Sequence, residues 1–217
     1  MPISLIPHQL QFSYEADFVP PIVDLFGPPN GANFVRKLSQ VFSIRLADMT
    51  VNQQNLARGH LFFSKWFENT GSFSVSFGGD GVSVNYVKPP SRESAWEPVD
   101  KALETLSEST EVRCEKQNIK FQGHSAPLGI KPNELISKFN IYESELLTSK
   151  GVSFTFKGPQ NNSQTFVVIS NSLFVPDGVF LVFDTTYFQE KLLTKQDYAI
   201  CTTYLRKEIL ARLELDW

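Results

Sequence analysis

The alternation of apolar and polar positions is clearest between Ser72 and Leu106. In Ser72-Phe73-Ser74-Val75-Ser76-Phe77 and again in Val82-Ser83-Val84-Asn85-Tyr86 the two kinds of residue alternate strictly, the pattern of strands with one dry and one wet face. Gly78-Gly79-Asp80-Gly81 between them reads as a hairpin turn, because glycine reaches positive φ without steric cost. Lys88-Pro89-Pro90 ends the second strand, since proline has no N–H to give to a ladder. A helix is expected over 94–108. Ser94 and Glu97 have the spacing of a capping box, Pro98 falls in the tolerant first turn, and Trp96, Val99, Leu103 and Leu106 form one apolar stripe.

The same reading applies along the rest of the chain. Gln9 to Phe18 alternates at Leu10, Phe12, Tyr14 and Ala16 and predicts a first strand. Phe34, Leu38 and Val41 predict a helix near 32–42, capped by Asn30 or Asn33. Ile44 to Val51 reverts to a strand pattern with a slip that reads as a bulge, and Leu61 to Phe67 is a further strand leading into the hairpin at 72–87. After the 94–108 helix, Val112 with Cys114 and Ile119 with Phe121 suggest a strand pair broken at the polar stretch Glu115 to Asn118, and Gly123 to Gly129 reads as a loop. A short helix is expected over Asn133 to Phe139, entered through Pro132. A second hairpin is expected over 152–170. The strand Val179 to Phe183 is apolar at every position and reads as covered on both faces. The closing helix, 195–214, has Thr194 as its cap and Tyr198, Cys201, Leu205 and Ile209 as its stripe.

These elements define an α+β protein, antiparallel sheets with helices packed on one face. Both 1–125 and 126–217 run from strands into a long helix, which hints at two similar α+β halves, although no residue-level repeat supports a duplication.

Composition narrows the function. Nineteen Phe residues suit sheets packed against helices. With 20 basic and 23 acidic residues the formal net charge is -3, so no global field draws a nucleic-acid backbone. The start lacks the charged leader and apolar core of a signal peptide, and the longest strongly apolar run, Val179 to Phe183, is strand-sized, so a cytoplasmic protein that does not enter the membrane is expected. Cys114 and Cys201 both lie in apolar-periodic contexts and are expected as reduced, buried thiols; Asn161-Asn162-Ser163 reads as a turn.

Candidate chemistry is sparse. His8, His60 and His124 share no ligand spacing with one another or with the cysteines, and no metal or other cofactor is expected. Gly78-Gly79-Asp80-Gly81 lacks the Lys and Ser/Thr of a phosphate-binding loop. Asp184 stands after the apolar run as magnesium-binding aspartates do, but without such a loop it reads as capping the turn through Thr185-Thr186. Lys65 beside Trp66 is the one basic–aromatic pairing, and Trp66 is expected in the core. The functional expectation is therefore a non-enzymatic module that binds another protein or itself. Its expected contact set is Phe18, Ile22, Val23, Leu25 and Phe26, an apolar segment held extended by Pro20-Pro21 and poor in charge. The alternative is an enzyme or nucleotide-binding protein with a site assembled from distant residues near Asp184, with His124 as a second member.

The strand Val82 to Tyr86, the helix entry at Trp96-Glu97, the short helix Asn133 to Phe139, the Val179 to Asp184 strand and the final helix, taken in order, resemble a sporadically distributed bacterial family of uncharacterised α+β proteins. The resemblance spans roughly residues 70–217. It implies an intracellular α+β protein and transfers no catalytic residue. The scattered distribution of such families adds weight to a subunit or inhibitor in a bacterial defence or toxin-neutralising system.

Overall fold

A computed structural model describes residues 2–27, 30–52, 60–67, 71–139 and 151–217. The protein is α+β, with a mostly antiparallel arrangement of strands and four α-helices among the described residues. Two compact units are present, each gathered from separated stretches of chain. One, here the Trp96 unit, comprises residues 12–119 and 187–198; the other, the Trp217 unit, comprises 1–11, 120–186 and 199–217. The halves expected from sequence, 1–125 and 126–217, are contiguous, whereas two long strands, β1 (Ile3–Phe18) and β6 (Cys114–Pro127), contribute to both units.

In the Trp96 unit the strand order is β2-β3-β4-β5-β1-β6, where β2 is Thr50–Asn52, β3 His60–Phe67, β4 Gly71–Gly78 and β5 Gly81–Val87. The registers Phe63↔Val75 and Val75↔Val84 place the apolar set of each strand on one face, as the alternation predicts. That face buries Phe63, Phe77 and Val84 together with α1 (Asn30–Phe42) residues Phe34 and Leu38 and α2 (Glu97–Ser107) residues Val99, Leu103 and Leu106. Trp96 is the largest fully buried side chain, 1% exposed. Its indole lies edge-on to Tyr14 at 5.3 Å and stacks on Tyr198 at 5.0 Å.

Several local expectations change. Ile44 to Val51 is not one strand: a 3-10 turn, Leu46–Asp48, precedes β2, closed by a bidentate Arg45–Asp48 pair at 2.8 and 3.0 Å. The expected Ser94–Glu97 capping box is absent. Ser94 exchanges bonds with Ser91 one turn earlier, at 3.0 and 3.1 Å, and Glu97 turns to Lys101 at 2.7 Å. The β4–β5 turn does not use positive φ at its glycines. Gly81 is needed for closeness, since a Cβ there would lie 2.5 Å from the Ala16 carbonyl of β1. The break expected at Glu115 to Asn118 does not occur, because β6 runs through it with Gln117 fully buried and fully bonded. Gln117 Oε1 accepts from Tyr14 Oη at 2.7 Å and Leu193 N–H at 2.8 Å, and Nε2 donates to the Lys191 carbonyl at 2.7 Å and that of Gln189 at 3.3 Å. Trp66 is 81% exposed rather than in the core, because the strand turns Leu61, Phe63 and Lys65 inward and Phe62 and Trp66 outward.

In the Trp217 unit the order is β1-β6-β9-β8-β7, with β7 Gly151–Lys157, β8 Ser163–Asn171 and β9 Val179–Tyr187; the short β10 (Leu215–Asp216) pairs parallel to the start of β1. The expected loop from Gly123 is strand as far as Pro127, and Gly123 is required there because a Cβ would meet the Gln9 carbonyl at 2.5 Å. Strand β9 continues past Asp184, which therefore sits inside a strand and not in a turn, and its burial alternates, so only one face is dry. The dry face includes Phe183, whose ring lies 5.1 Å from Trp217; the Trp217 indole N–H donates to Ser125 Oγ at 2.8 Å. The short helix α3 (Pro132–Ser137) buries Leu135 and Ile136. The capping box missing at Ser94 is found at the closing helix α4 (Lys195–Tyr204): Thr194 Oγ1 accepts from Asp197 N–H at 3.3 Å while Asp197 Oδ2 accepts from Thr194 N–H at 2.8 Å. The helix continues as a π-helical turn, Leu205–Leu210. Cys114 and Cys201 are both buried and neither forms a disulfide, and burial, aided by the Asp17 charge, pushes the Cys114 thiol up to about 11.

Candidate protein-binding surfaces

The segment Phe18 to Phe26 lies in the Trp96 unit and is tied down by its backbone. Phe18 N–H donates to the Asp80 carbonyl at 2.8 Å, Val19 N–H to that of Arg113 at 2.9 Å, and Ile22 N–H to that of Gly79 at 2.6 Å. A 3-10 turn, Val23–Leu25, then leads to α1. Phe18 and Leu25 are buried. Phe26 is half-buried with its ring 6.2 Å from Phe34, and Ile22 is half-buried. The side chain of Val23 lies outside the described residues.

A second apolar feature, in the Trp217 unit, is the turn between β8 and β9. Leu173 is 89% exposed and Phe174 72%. Polar groups, not apolar packing, hold this turn in shape. Ser172 N–H donates to the Gly178 carbonyl at 2.9 Å, and Ser172 Oγ accepts from the N–H groups of Phe174 at 3.1 Å and Val175 at 2.8 Å. Asn171 Nδ2 donates to Asn133 Oδ1 at 3.0 Å, tying the base of the turn to the first residues of α3. Asp177 adopts the left-handed region at φ 51°. His124 on β6 supports the turn from beneath, stacked on Phe180 at 4.7 Å and edge-on to Phe174 at 4.9 Å.

His124 Nδ1 lies 2.9 Å from Ser172 Oγ. An oxygen that already accepts two N–H bonds has its own proton to give, so Ser172 donates to Nδ1 and the ring proton resides on Nε2. Burial also holds His124 below its ordinary value and favours this neutral form. The Ser172–His124 contact is thus a turn brace, with the serine lone pairs engaged by backbone N–H groups.

Asp184 is four positions along β9 from Phe180, the residue on which His124 stacks, about 13 Å at the rise of a strand. The described structure therefore does not bring Asp184 and His124 to one point. No group of three or more His, Cys, Asp or Glu suited to a metal occurs among the described residues, and no helix there is long and apolar enough to cross a membrane. The sequence reading passed over Leu173-Phe174. The signal available was Asn171-Ser172 before two large apolar residues and Pro176-Asp177-Gly178 after them, a closed turn with nowhere inward for Leu173 and Phe174 to go. No family model matches the chain, and no curated protein compared with it is similar to it.

Proposed function

We propose that this protein is a non-enzymatic protein-binding module and that the Leu173–Phe174 turn is a contact it presents. The observation that carries the reading is the combination of high exposure at both residues with a turn fixed by Ser172, Asn171 and His124. Large apolar side chains on a pre-ordered turn lose little conformational freedom on binding, which suits them as anchors for a pocket on a partner. Ile22 and Phe26 are the members of the 18–26 segment with accessible surface among those whose side chains are described, and they form a second, smaller candidate contact. A role as a subunit or inhibitor in a bacterial defence or toxin-neutralising system rests on the sequence resemblance alone.

The test compares wild type with Leu173→Ser/Phe174→Ser and with Ile22→Ser/Phe26→Ser, reading self-association by sedimentation and association with a partner captured by the wild-type protein, beside the melting temperature. Loss of association in the first variant at unchanged melting temperature supports the turn. Loss only in the second transfers the contact to Phe18–Phe26. Association retained in both, or a nucleotide- or metal-dependent stabilisation that disappears in Asp184→Ala, sinks the reading in favour of a ligand site near Asp184.

A further inference from the structure

Within the Trp96 unit, the C-terminus of α1, the Phe67, Phe73 and Tyr86 end of the β3–β5 meander and the start of α2 line a partly open pocket of about 290 Å³. Its apolar wall is a cluster of rings in mutual contact. Phe73 lies 5.6 Å from Phe42, 5.8 Å from Phe67 and 5.9 Å from Tyr86, and Phe67 stacks on Tyr86 at 6.4 Å with 28° between planes. Two ammonium groups border the same cavity. Lys65, inward-facing on β3, donates to the Phe42 carbonyl at the end of α1 at 3.1 Å and lies 5.8 Å from the Phe67 ring centre. Lys101 is paired with Glu97 at 2.7 Å. Among the described residues the charged groups on the rim are Lys65, Lys101 and Glu97, together a net charge of +1.

An ammonium with three donors, one of them given to a helix-end carbonyl, has two left for an incoming oxygen. Beside the Phe67 ring, such a charge favours an anion over a neutral group of the same shape. The volume sits at the lower limit of ligand cavities, which run from about 300 to 1,000 Å³. It is of a size for one ring and a short acid chain. We infer that this cavity binds a small amphipathic carboxylate, its ring or hydrocarbon body against Phe67, Phe73 and Tyr86 and its carboxylate on Lys65, with Lys101 exchanging part of its Glu97 contact for the ligand.

The experiment titrates the intact protein with benzoate, phenylacetate and, as the neutral isostere, benzyl alcohol, following backbone amide shifts in two-dimensional NMR. Saturable shifts centred on Lys65, Phe73, Tyr86 and Lys101 are expected for the acids, with benzyl alcohol about tenfold weaker, the value of one charge-assisted bond. Lys65→Met is expected to reduce benzoate to the benzyl alcohol level. Because Lys65 also caps α1, Lys101→Met, at a half-exposed position of α2 on the rim of the pocket, provides a variant that retains the fold, expected to weaken benzoate about threefold. Absence of saturable shifts at these amides, or equal affinity for the acid and the alcohol in the wild-type protein, overturns the inference.

Discussion

Phe18–Phe26 and the Ser172–Gly178 turn are both short, apolar, proline-containing connections, yet they dispose of their side chains in opposite ways. In the first, three backbone N–H groups bond to the hairpin tip at Gly79 and Asp80 and to Arg113, and this draws Phe18 and Leu25 into the core. In the second, the backbone bonds close on the turn itself and on Ser172 Oγ, so the segment satisfies its N–H groups locally, with the His124 ring of β6 beneath it, and leaves Leu173 and Phe174 exposed. Where the backbone hydrogen bonds end decides which apolar residues become core and which remain for a partner. Hydrophobicity and proline content, similar in the two, do not.

The largest effect expected from this contrast is at Phe18. Phe18→Ala should cost about 3–5 kcal/mol in urea unfolding, since it leaves a cavity beneath the hairpin tip. A loss under about 1 kcal/mol would show that the segment is not anchored and would dissolve the distinction. Leu173→Ser/Phe174→Ser should leave stability within about 0.5 kcal/mol while weakening partner binding more than about tenfold. Ser172→Ala should lie between these, about 1 kcal/mol, because two N–H groups lose their acceptor near the surface. Its signature is faster amide exchange at Phe174 and Val175 with unchanged exchange in β9; unchanged exchange at both would mean that the serine does not hold the turn.

Much of the fold was legible because strict alternation and capping chemistry act locally. The β4–β5 hairpin, the 152–170 hairpin, α1, α3 and the closing helix stand where the sequence puts them. The misplaced features share a cause in distant partners. Gln117 is tolerated inside β6 only because Tyr14, Gln189, Lys191 and Leu193, 103, 72, 74 and 76 positions away, complete its bonds. Trp66 could not be assigned a side from sequence, since its strand, Leu61-Phe62-Phe63-Ser64-Lys65-Trp66-Phe67, is apolar on both faces and the inward lysine is satisfied only by the end of α1. The candidate turn was hidden for a related reason: Ser172 gives a local turn signal, but His124, which braces it, comes from a strand 48 residues earlier.

The smallest expected effect is a pH dependence of that brace. His124 lies below its ordinary 6.5 in the folded protein because burial disfavours the imidazolium. The unfolded chain therefore takes up a proton at higher pH than the folded one. This sign makes the His124 contribution complete above the unfolded value and lost progressively as pH falls through the lower folded value. The geometry gives the same direction. Protonated Nδ1 cannot accept from Ser172 and must instead donate to an oxygen already accepting from Phe174 and Val175. The ring is partly accessible to water, so the change should be small beside the Phe18 effect, and it is best isolated as a difference between wild type and His124→Asn. Between about pH 8 and pH 5 the wild type should lose stability relative to the variant, and the protection factors of the Phe174 and Val175 amides, corrected for the intrinsic pH dependence of exchange, should fall over the same range. A wild-type–variant difference that is flat across this range, with protection factors at the turn equally flat, would show that Ser172 and the backbone hold Leu173 and Phe174 outward without the imidazole.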